Sequence, residues 1–206
     1  MRALRTIVLI AAVSLVAGCA HVRDDAADPV RVALDTEVGT IVVEVYLGKS
    51  PVSAGDFLRH VDDGLYRNAG FYRVVRPEND RGTPTITVIQ GGRLDAGNPS
   101  PGIEHETTRR TGLRHVDGAL SIARADPGTG SAGAFFISIG AQPSLDYGGL
   151  RNPDGQGFAV FGRVINGMEI VRSINEMNAD GVADNPYVEG QILPEPVLIK
   201  SARRVD

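Results

Sequence analysis

Alternating hydrophobic and polar residues begin at position 30 and predict a β-hairpin at the start of the folded region. The alternation lies on both sides of a polar turn, EVGT, at positions 37–40. The alternating apolar residues are Val32, Leu34, Ile41, Val43 and Val45. Such a period of two places successive side chains on opposite faces of a strand, so two antiparallel strands are expected here.

Two later segments have the spacing of amphipathic helices. The first has Ser50 as the expected N-cap, Pro51 at the first helical position and Gly64 as its stop signal. The second covers positions 168–177 and follows the pair Asn166-Gly167. The apolar positions at near-helical spacing are Val52, Phe57, Leu58 and Val61 in the first, and Met168, Val171 and Ile174 in the second.

Six more strand-like segments are separated by clusters of Gly, Pro, Asn and Asp. They cover residues 71–75, 85–90, 118–123, 134–139, 159–164 and 196–200. A sheet that closes on itself removes exposed edges, and helices can cover its open ends. The pattern therefore predicts a mainly β fold, a closed eight-stranded antiparallel barrel capped by two helices, over residues 30–206.

The first 18 residues have the features of a secretory signal. Arg2 and Arg5 precede an uncharged run at 6–17, and small residues follow. A helix needs about 20 apolar residues to span a hydrocarbon core, so this run is too short for a permanent transmembrane segment.

The only cysteine, Cys19, follows this signal directly. The run VAGC at 16–19 resembles the bacterial lipobox, in which the chain is cut before a lipidated cysteine. This resemblance implies a signal peptide at 1–18 and a lipidated Cys19 followed by a flexible tether to position 29. It also implies a domain held at the bacterial cell envelope and facing the periplasm. Ala20 after the cysteine favours outer-membrane sorting by the enterobacterial rule, but inner and outer membrane both stay open.

Charge and composition exclude several classes of function. The formal charge is −4, with 21 Lys and Arg against 25 Asp and Glu, whereas phosphate binding draws on clustered basic residues. We therefore expect no nucleic-acid partner. The 25 Gly and 12 Pro favour short strands and turns over long helices. With Cys19 consumed by lipidation, the domain has no thiol for a disulfide or a thiolate metal site.

Six short motifs occur in the order that is typical of the cyclophilin family of peptidyl-prolyl cis-trans isomerases, which this chain resembles from about Val30 to its end. They are PVSAGDF at 51–57, FYRVV at 71–75 with IQGG at 89–92, GLRHVDGALSIA at 112–123, AFFI at 134–137, LD at 145–146 and FAVFGRVINGM at 158–168. Each motif alone has little specificity, but six in register carry the resemblance.

The resemblance implies a site for X-Pro peptides. Arg73 would be the catalytic arginine and Gln90 its hydrogen-bonding neighbour. The expected substrate-binding residues are Gln90, Val88, Ala123, Phe136, Leu145 and Phe158. The resemblance implies no cofactor and no metal, and we expect a monomer.

The chain departs from the family pattern at several of these positions. Arg73 and Gln90 are seventeen residues apart instead of eight, so the stretch after Arg73 holds about nine extra residues. A Phe-Met pair of the family falls on Thr87 and Val88. Peptide-contacting residues of the family are replaced by Arg124, Ala134 and Ser144, which leaves the groove with fewer amide groups.

Two other motifs suggest different functions, and their context in the sequence argues against both. GTGSAG at 128–133 matches a dinucleotide fingerprint, but the strand-like AFFISI follows it where that fingerprint requires a helix. Glu104, His105 and Glu106 are adjacent and would point in different directions, so a solvated turn is expected instead of a metal site.

Two functions therefore stand side by side. In the first, a lipid-anchored isomerase accelerates X-Pro isomerisation during the folding of exported proteins. In the second, a non-catalytic module of the cell envelope binds proline-containing segments or acts as a chaperone. The partners in both cases are proline-containing polypeptides, together with the membrane through the lipid anchor.

Overall fold

The computed structural model describes residues 28–95 and 100–206, and in them the backbone forms a closed barrel. The predicted signal peptide 1–18, Cys19 and all but the last two residues of the tether lie outside the described residues. The barrel order is β1-β2-β7-β5-β6-β4-β3-β8, and β8 pairs with β1 to close it. All strand pairs around the barrel are antiparallel. The predicted fold class is confirmed.

The eight strands of the described residues agree with the eight predicted, although several boundaries differ. Their bounds are β1 Val30–Thr36, β2 Gly39–Val45, β3 Ala69–Val75, β4 Val88–Arg93, β5 Ala119–Ile122, β6 Ala134–Ser138, β7 Ala159–Asn166 and β8 Ile192–Val205. The predicted start of the fourth strand at position 85 is wrong, because the Ile86 N–H donates to the Asp80 carboxylate at 2.8 Å instead of joining the sheet. The last strand is longer than predicted because it pairs with both β3 and β1.

Three α-helices accompany the barrel. They are α1 Pro51–Asp62, the single turn α2 Thr108–Thr111, and α3 Met168–Asn175. The sequence predicts α1 and α3 but not α2. Within 28–95 and 100–206, every helix is too short or too polar to cross a membrane.

The N-terminus of α1 is capped by a residue far away in sequence. The Ser50 side chain does not cap its own helix, contrary to the prediction. Instead the buried Glu106 carboxylate accepts hydrogen bonds from the Ser50 hydroxyl at 2.8 Å, from the Ser53 N–H at 2.8 Å and from the Val52 N–H at 3.2 Å. A carboxylate at a helix N-terminus satisfies free N–H groups and complements the helix dipole. Glu106 therefore has a structural role.

An aromatic cluster fills the barrel interior. Phe57 of α1 packs against Tyr66, Phe135 and Phe161, with ring centroids 5.0–5.8 Å apart. These four side chains are almost completely buried. Since the interior is filled by side chains, a binding site has to lie on the outside of the barrel.

Candidate active site

A groove of about 610 Å³ lies on the outer surface of the barrel. All of the sequence-predicted groove residues line it: Arg73, Val88, Gln90, Ala123, Phe136, Leu145 and Phe158. The structure thus brings together residues that are up to 85 positions apart in the chain. Cys19, the predicted lipidation site, lies outside the described residues.

Strand register places the key polar and aromatic side chains side by side. Arg73 of β3 pairs with Gln90 of β4, and Gln90 pairs with Phe136 of β6. Directly opposed residues on neighbouring antiparallel strands point to the same face of the sheet. The three residues therefore form a row across three strands on the outside of the barrel.

The Arg73 guanidinium is held by two glutamine amides. Its Nη1–H donates to Gln90 Oε1 at 2.9 Å, while Nε–H and Nη2–H donate to Gln191 Oε1 at 2.9 and 2.6 Å. Gln191 is completely buried and its Nε2–H donates to the Asn79 carbonyl at 2.7 Å. Both partners are neutral, so they orient the guanidinium without neutralising it.

Burial is the main influence on the acidity of this arginine. It lowers the pKa of Arg73, while the nearby Tyr187 and Asp80 act in the opposite direction. Arginine is not deprotonated in proteins at ordinary pH, so Arg73 acts as a charged donor.

An apolar pocket lies beside Arg73 and is separate from the barrel core. Its buried side chains are those of Val75, Ile86, Val88, Phe136 and Leu145, and Ala123 and Phe158 pack against them. Phe136 and Phe158 meet edge to face with centroids 5.2 Å apart. Ile86 and Val88 line this pocket, whereas Thr87, where the resemblance places one residue of the Phe-Met pair, does not. The Thr87 carbonyl instead accepts from the Ile139 N–H at 2.9 Å.

A buried chain of polar residues supports the pocket from behind. His115 bonds to Asp146 Oδ1 through Nδ1 and to the Ser121 hydroxyl through Nε2, both at 2.8 Å. Its ring stacks on Phe136 with an interplanar angle of 9°. Burial lowers the pKa of His115, and the His115 hydrogen bonds hold the pKa of Asp146 below its usual range despite partial burial. Ser121 is completely buried, so these three hydrogen-bonded residues support Phe136 and do not contact a substrate.

Two loop stretches lie beside the groove, and the second of them contributes Arg151 and Asn152 to its lining. The stretch 76–85 meets the stretch 147–157 through a buried ion pair between Asp80 and Arg151. Arg124 also fixes the second stretch, because it bonds to Asp154 at 2.7 Å and to the Gly157 carbonyl at 2.6 Å. Arg124 further lies over the Phe158 ring, 5.4 Å from its centroid.

The sequence analysis missed Arg151, Tyr187 and Ile86, which line the groove, and the buried Gln191, which holds Arg73. Gln191 is 118 positions from Arg73 in the chain, and no local pattern connects the two. Ile86 could have been found, since it lies two positions before Val88 and shares its apolar character.

The glycine-rich motif adopts the expected structure, whereas the solvated turn expected at 104–106 is wrong for Glu106, which is buried. The glycine-rich run at 128–133 leads into β6 instead of a helix. Glu106 points to the start of α1, whereas His105 bonds to the Gln156 carbonyl at 3.3 Å. In the described part of the chain, no three His, Cys, Asp or Glu side chains are arranged to hold a metal ion.

Known proteins resemble this chain in both sequence and structure. A family model described as cyclophilin type peptidyl-prolyl cis-trans isomerase/CLD matches residues 31–201. Peptidyl-prolyl cis-trans isomerase A of Dickeya dadantii is 31% identical over 179 residues, which cover 84% of this chain and 83% of the relative. Peptidyl-prolyl cis-trans isomerase B of Escherichia coli is 29% identical over 178 residues, covering 82% and 96%.

Solved structures share the fold. A cyclophilin-type peptidyl-prolyl cis-trans isomerase of Cryptosporidium parvum superposes with a TM-score of 0.64 at 19% identity, covering 86% of this chain and 98% of the other. A crystal structure of that protein in the presence of the dipeptide Ala-Pro gives a TM-score of 0.61 at 20% identity, covering 85% and 99%.

Proposed function

Because this chain belongs to the cyclophilin-type peptidyl-prolyl cis-trans isomerase family, we propose that Arg73 and the apolar pocket beside it accelerate X-Pro isomerisation in exported polypeptides. The family and its activity rest on the matched model and on relatives that are named as isomerases. The roles of individual residues and the exported substrates are our proposal.

The reaction requires rotation about a bond and breaks none. Twisting the peptide bond costs about 18–20 kcal/mol because amide resonance is lost. Uncatalysed exchange takes tens to hundreds of seconds, and a turnover of about 1–10³ per second requires the barrier to fall by about 3–7 kcal/mol. The site therefore has to bind the twisted amide more tightly than either planar isomer.

Arg73 has free donors for this task, and this observation carries the proposal. A guanidinium has five N–H groups. Three of them donate to Gln90 and Gln191, and the other two have no acceptor among residues 28–95 and 100–206. One of these can donate to the prolyl nitrogen, whose lone pair becomes available only when the amide twists.

The arginine alone does not supply the whole effect. One hydrogen bond from a charged donor contributes about 1.5–3 kcal/mol. The rest is assigned to the pocket formed by Val88, Phe136, Leu145 and Phe158, which holds the proline ring while the rest of the chain rotates. Apolar walls also exclude water and thereby strengthen the hydrogen bond from Arg73.

The cellular context is proposed from the N-terminal sequence. The signal at 1–18 and the lipobox ending at Cys19 support export and lipid anchoring at the bacterial cell envelope, with the domain facing the periplasm. More than one acyl chain is needed for stable anchoring, and the lipoprotein modification supplies several. Proline-containing segments of envelope proteins are then the expected substrates.

The isomerase proposal is tested on the soluble domain beginning at Asp28. Exchange between cis and trans forms of a proline peptide is measured by NMR for the wild type, for Arg73→Ala and for Arg204→Ala. Arg204 is a matched control because its partner is Asp62, outside the groove. We expect rapid exchange for the wild type and the control, and near-background exchange for Arg73→Ala.

Two results would contradict the proposal. Full activity of Arg73→Ala would remove the arginine from the mechanism. Peptide-induced shifts around Phe136 without accelerated exchange would favour the non-catalytic binding module.

Anchoring is tested separately on the full chain. We expect the wild type in the membrane fraction of a bacterial host and Cys19→Ser in the soluble fraction. Recovery of Cys19→Ser in the membrane fraction would contradict the lipid-anchor proposal.

A further inference from the structure

A buried ion pair with two hydrogen bonds joins the stretches 76–85 and 147–157 beside the groove. Arg151 Nη1–H and Nη2–H donate to the two Asp80 carboxylate oxygens at 2.7 and 2.8 Å. The Arg151 side chain is 6% exposed and that of Asp80 is completely buried. Arg151 also donates to the Pro84 carbonyl at 2.8 Å. Planar two-point pairing of this kind fixes the position of the guanidinium.

Arg151 uses a further donor to hold a tyrosine at the groove. Its Nη2–H donates to the Tyr187 hydroxyl at 3.1 Å. Tyr187 lies in a 3₁₀ turn at Pro186–Val188, is 44% exposed and lines the groove with Arg73. The hydroxyl is therefore both oriented and open to an incoming ligand.

The Tyr187 hydroxyl has a hydrogen to donate. A phenol that accepts from Arg151 keeps its own O–H, and this O–H has no acceptor among the described residues. The other two arginines that line the groove, Arg124 and Arg151, already bind carboxylates. The Tyr187 hydroxyl lies in the same groove as the free N–H groups of Arg73, so it can donate to a backbone carbonyl of an extended peptide.

We propose that Tyr187 is a further substrate-binding residue, whose hydroxyl donates to a backbone carbonyl of the X-Pro peptide and is oriented by the Arg151–Asp80 pair. This inference rests on the proposed function of the same groove. A carbonyl outside the rotating bond is bound equally in both isomers and in the twisted state, so Tyr187 contributes to affinity and leaves the turnover of bound peptide unchanged.

The test compares Tyr187→Phe with Tyr147→Phe on the domain from Asp28. Tyr147 is a matched control because its hydroxyl also accepts from an arginine, Arg109, and it does not line the groove. NMR titration gives the Kd of a proline peptide, and exchange at saturating peptide gives the rate on the enzyme. We expect Tyr187→Phe to weaken binding about threefold to tenfold, the range for one neutral hydrogen bond, with the saturated rate unchanged.

A double-mutant cycle with Arg151→Lys tests the orienting role. We expect this substitution to weaken peptide binding in the wild type and to have a smaller effect in the Tyr187→Phe background. Equal effects in both backgrounds would contradict the orientation by Arg151.

The proposal is overturned if Tyr187→Phe binds peptide as tightly as the wild type, or if Tyr147→Phe loses as much affinity. Failure of the proposed function is a different result, because the wild type would then bind peptide without accelerating exchange. The Kd comparison between the tyrosine variants still decides the role of Tyr187 in that case.

Discussion

Replacing Gln191 with methionine tests whether turnover depends on how Arg73 is held. The Gln191 side chain accepts two of the three hydrogen bonds that Arg73 makes, and it donates to the carbonyls of Asn79 at 2.7 Å and Tyr187 at 3.5 Å. Methionine has a similar length and fills similar space but lacks both polar groups. Arg73 would then keep only its bond with Gln90.

The size of the effect follows from the bonds that are lost. A hydrogen bond involving a charged group contributes about 1.5–3 kcal/mol, and each factor of ten in rate corresponds to about 1.4 kcal/mol. Loss of this orientation should therefore lower kcat by about 10-fold to 100-fold. Peptide affinity should change much less, because the apolar pocket that holds the proline ring is untouched.

The assay is NMR exchange of a proline peptide at saturating and sub-saturating concentrations, with thermal unfolding recorded for each variant. Gln142→Met is the control, since Gln142 is also largely buried and its amide donates to the Ile139 carbonyl at 2.7 Å, away from Arg73. Both substitutions should reduce stability, but only Gln191→Met should reduce kcat.

Wild-type kcat in a folded Gln191→Met variant would refute the reasoning. So would an equal loss of kcat in Gln142→Met, because the effect would then come from general loosening of the fold.

Two further predictions concern stability. Asp80→Asn should lower the free energy of unfolding in urea by about 3–5 kcal/mol, because it leaves the buried Arg151 without its charged partner; unchanged stability would show that the pair contributes nothing. Burial lowers the pKa of His115 from its usual value near 6.5, so the unfolded chain takes up a proton before the folded one does. The free energy of unfolding should therefore fall as the pH drops from 7 to 5, and His115→Gln should reduce that slope, with a remainder from His105, whose pKa burial also lowers.

The fold could be predicted from the sequence because the patterns that indicate its strands and turns are local. Period-two alternation and glycine-containing turns mark the strands, and the motifs around Arg73, Gln90 and Phe136 lie on strands that pair directly. Where a residue's position is fixed by its neighbours on paired strands, that position can be predicted from such patterns. This explains why the predicted groove residues meet in one place.

The remaining part of the groove depends on contacts between distant loops. Asp80 and Arg151 are 71 positions apart, and Arg73 and Gln191 are 118 apart. Asp80, Arg151 and Gln191 lie in irregular segments, where no periodicity shows which side faces inward. Glu106 is a similar case, since an acidic residue in an apparent surface turn caps a helix 53 positions away.

The extra residues after Arg73 contribute to the positions of both Arg73 and Tyr187. The Asn79 carbonyl, within this stretch, accepts from Gln191, which in turn accepts from Arg73. Asp80, the next residue, holds Arg151, which holds the Tyr187 hydroxyl. One short segment thus supports both the proposed donor to the prolyl nitrogen and the proposed donor to the peptide carbonyl. Substitutions that repack this segment should therefore change peptide affinity and turnover together, whereas Tyr187→Phe changes affinity alone.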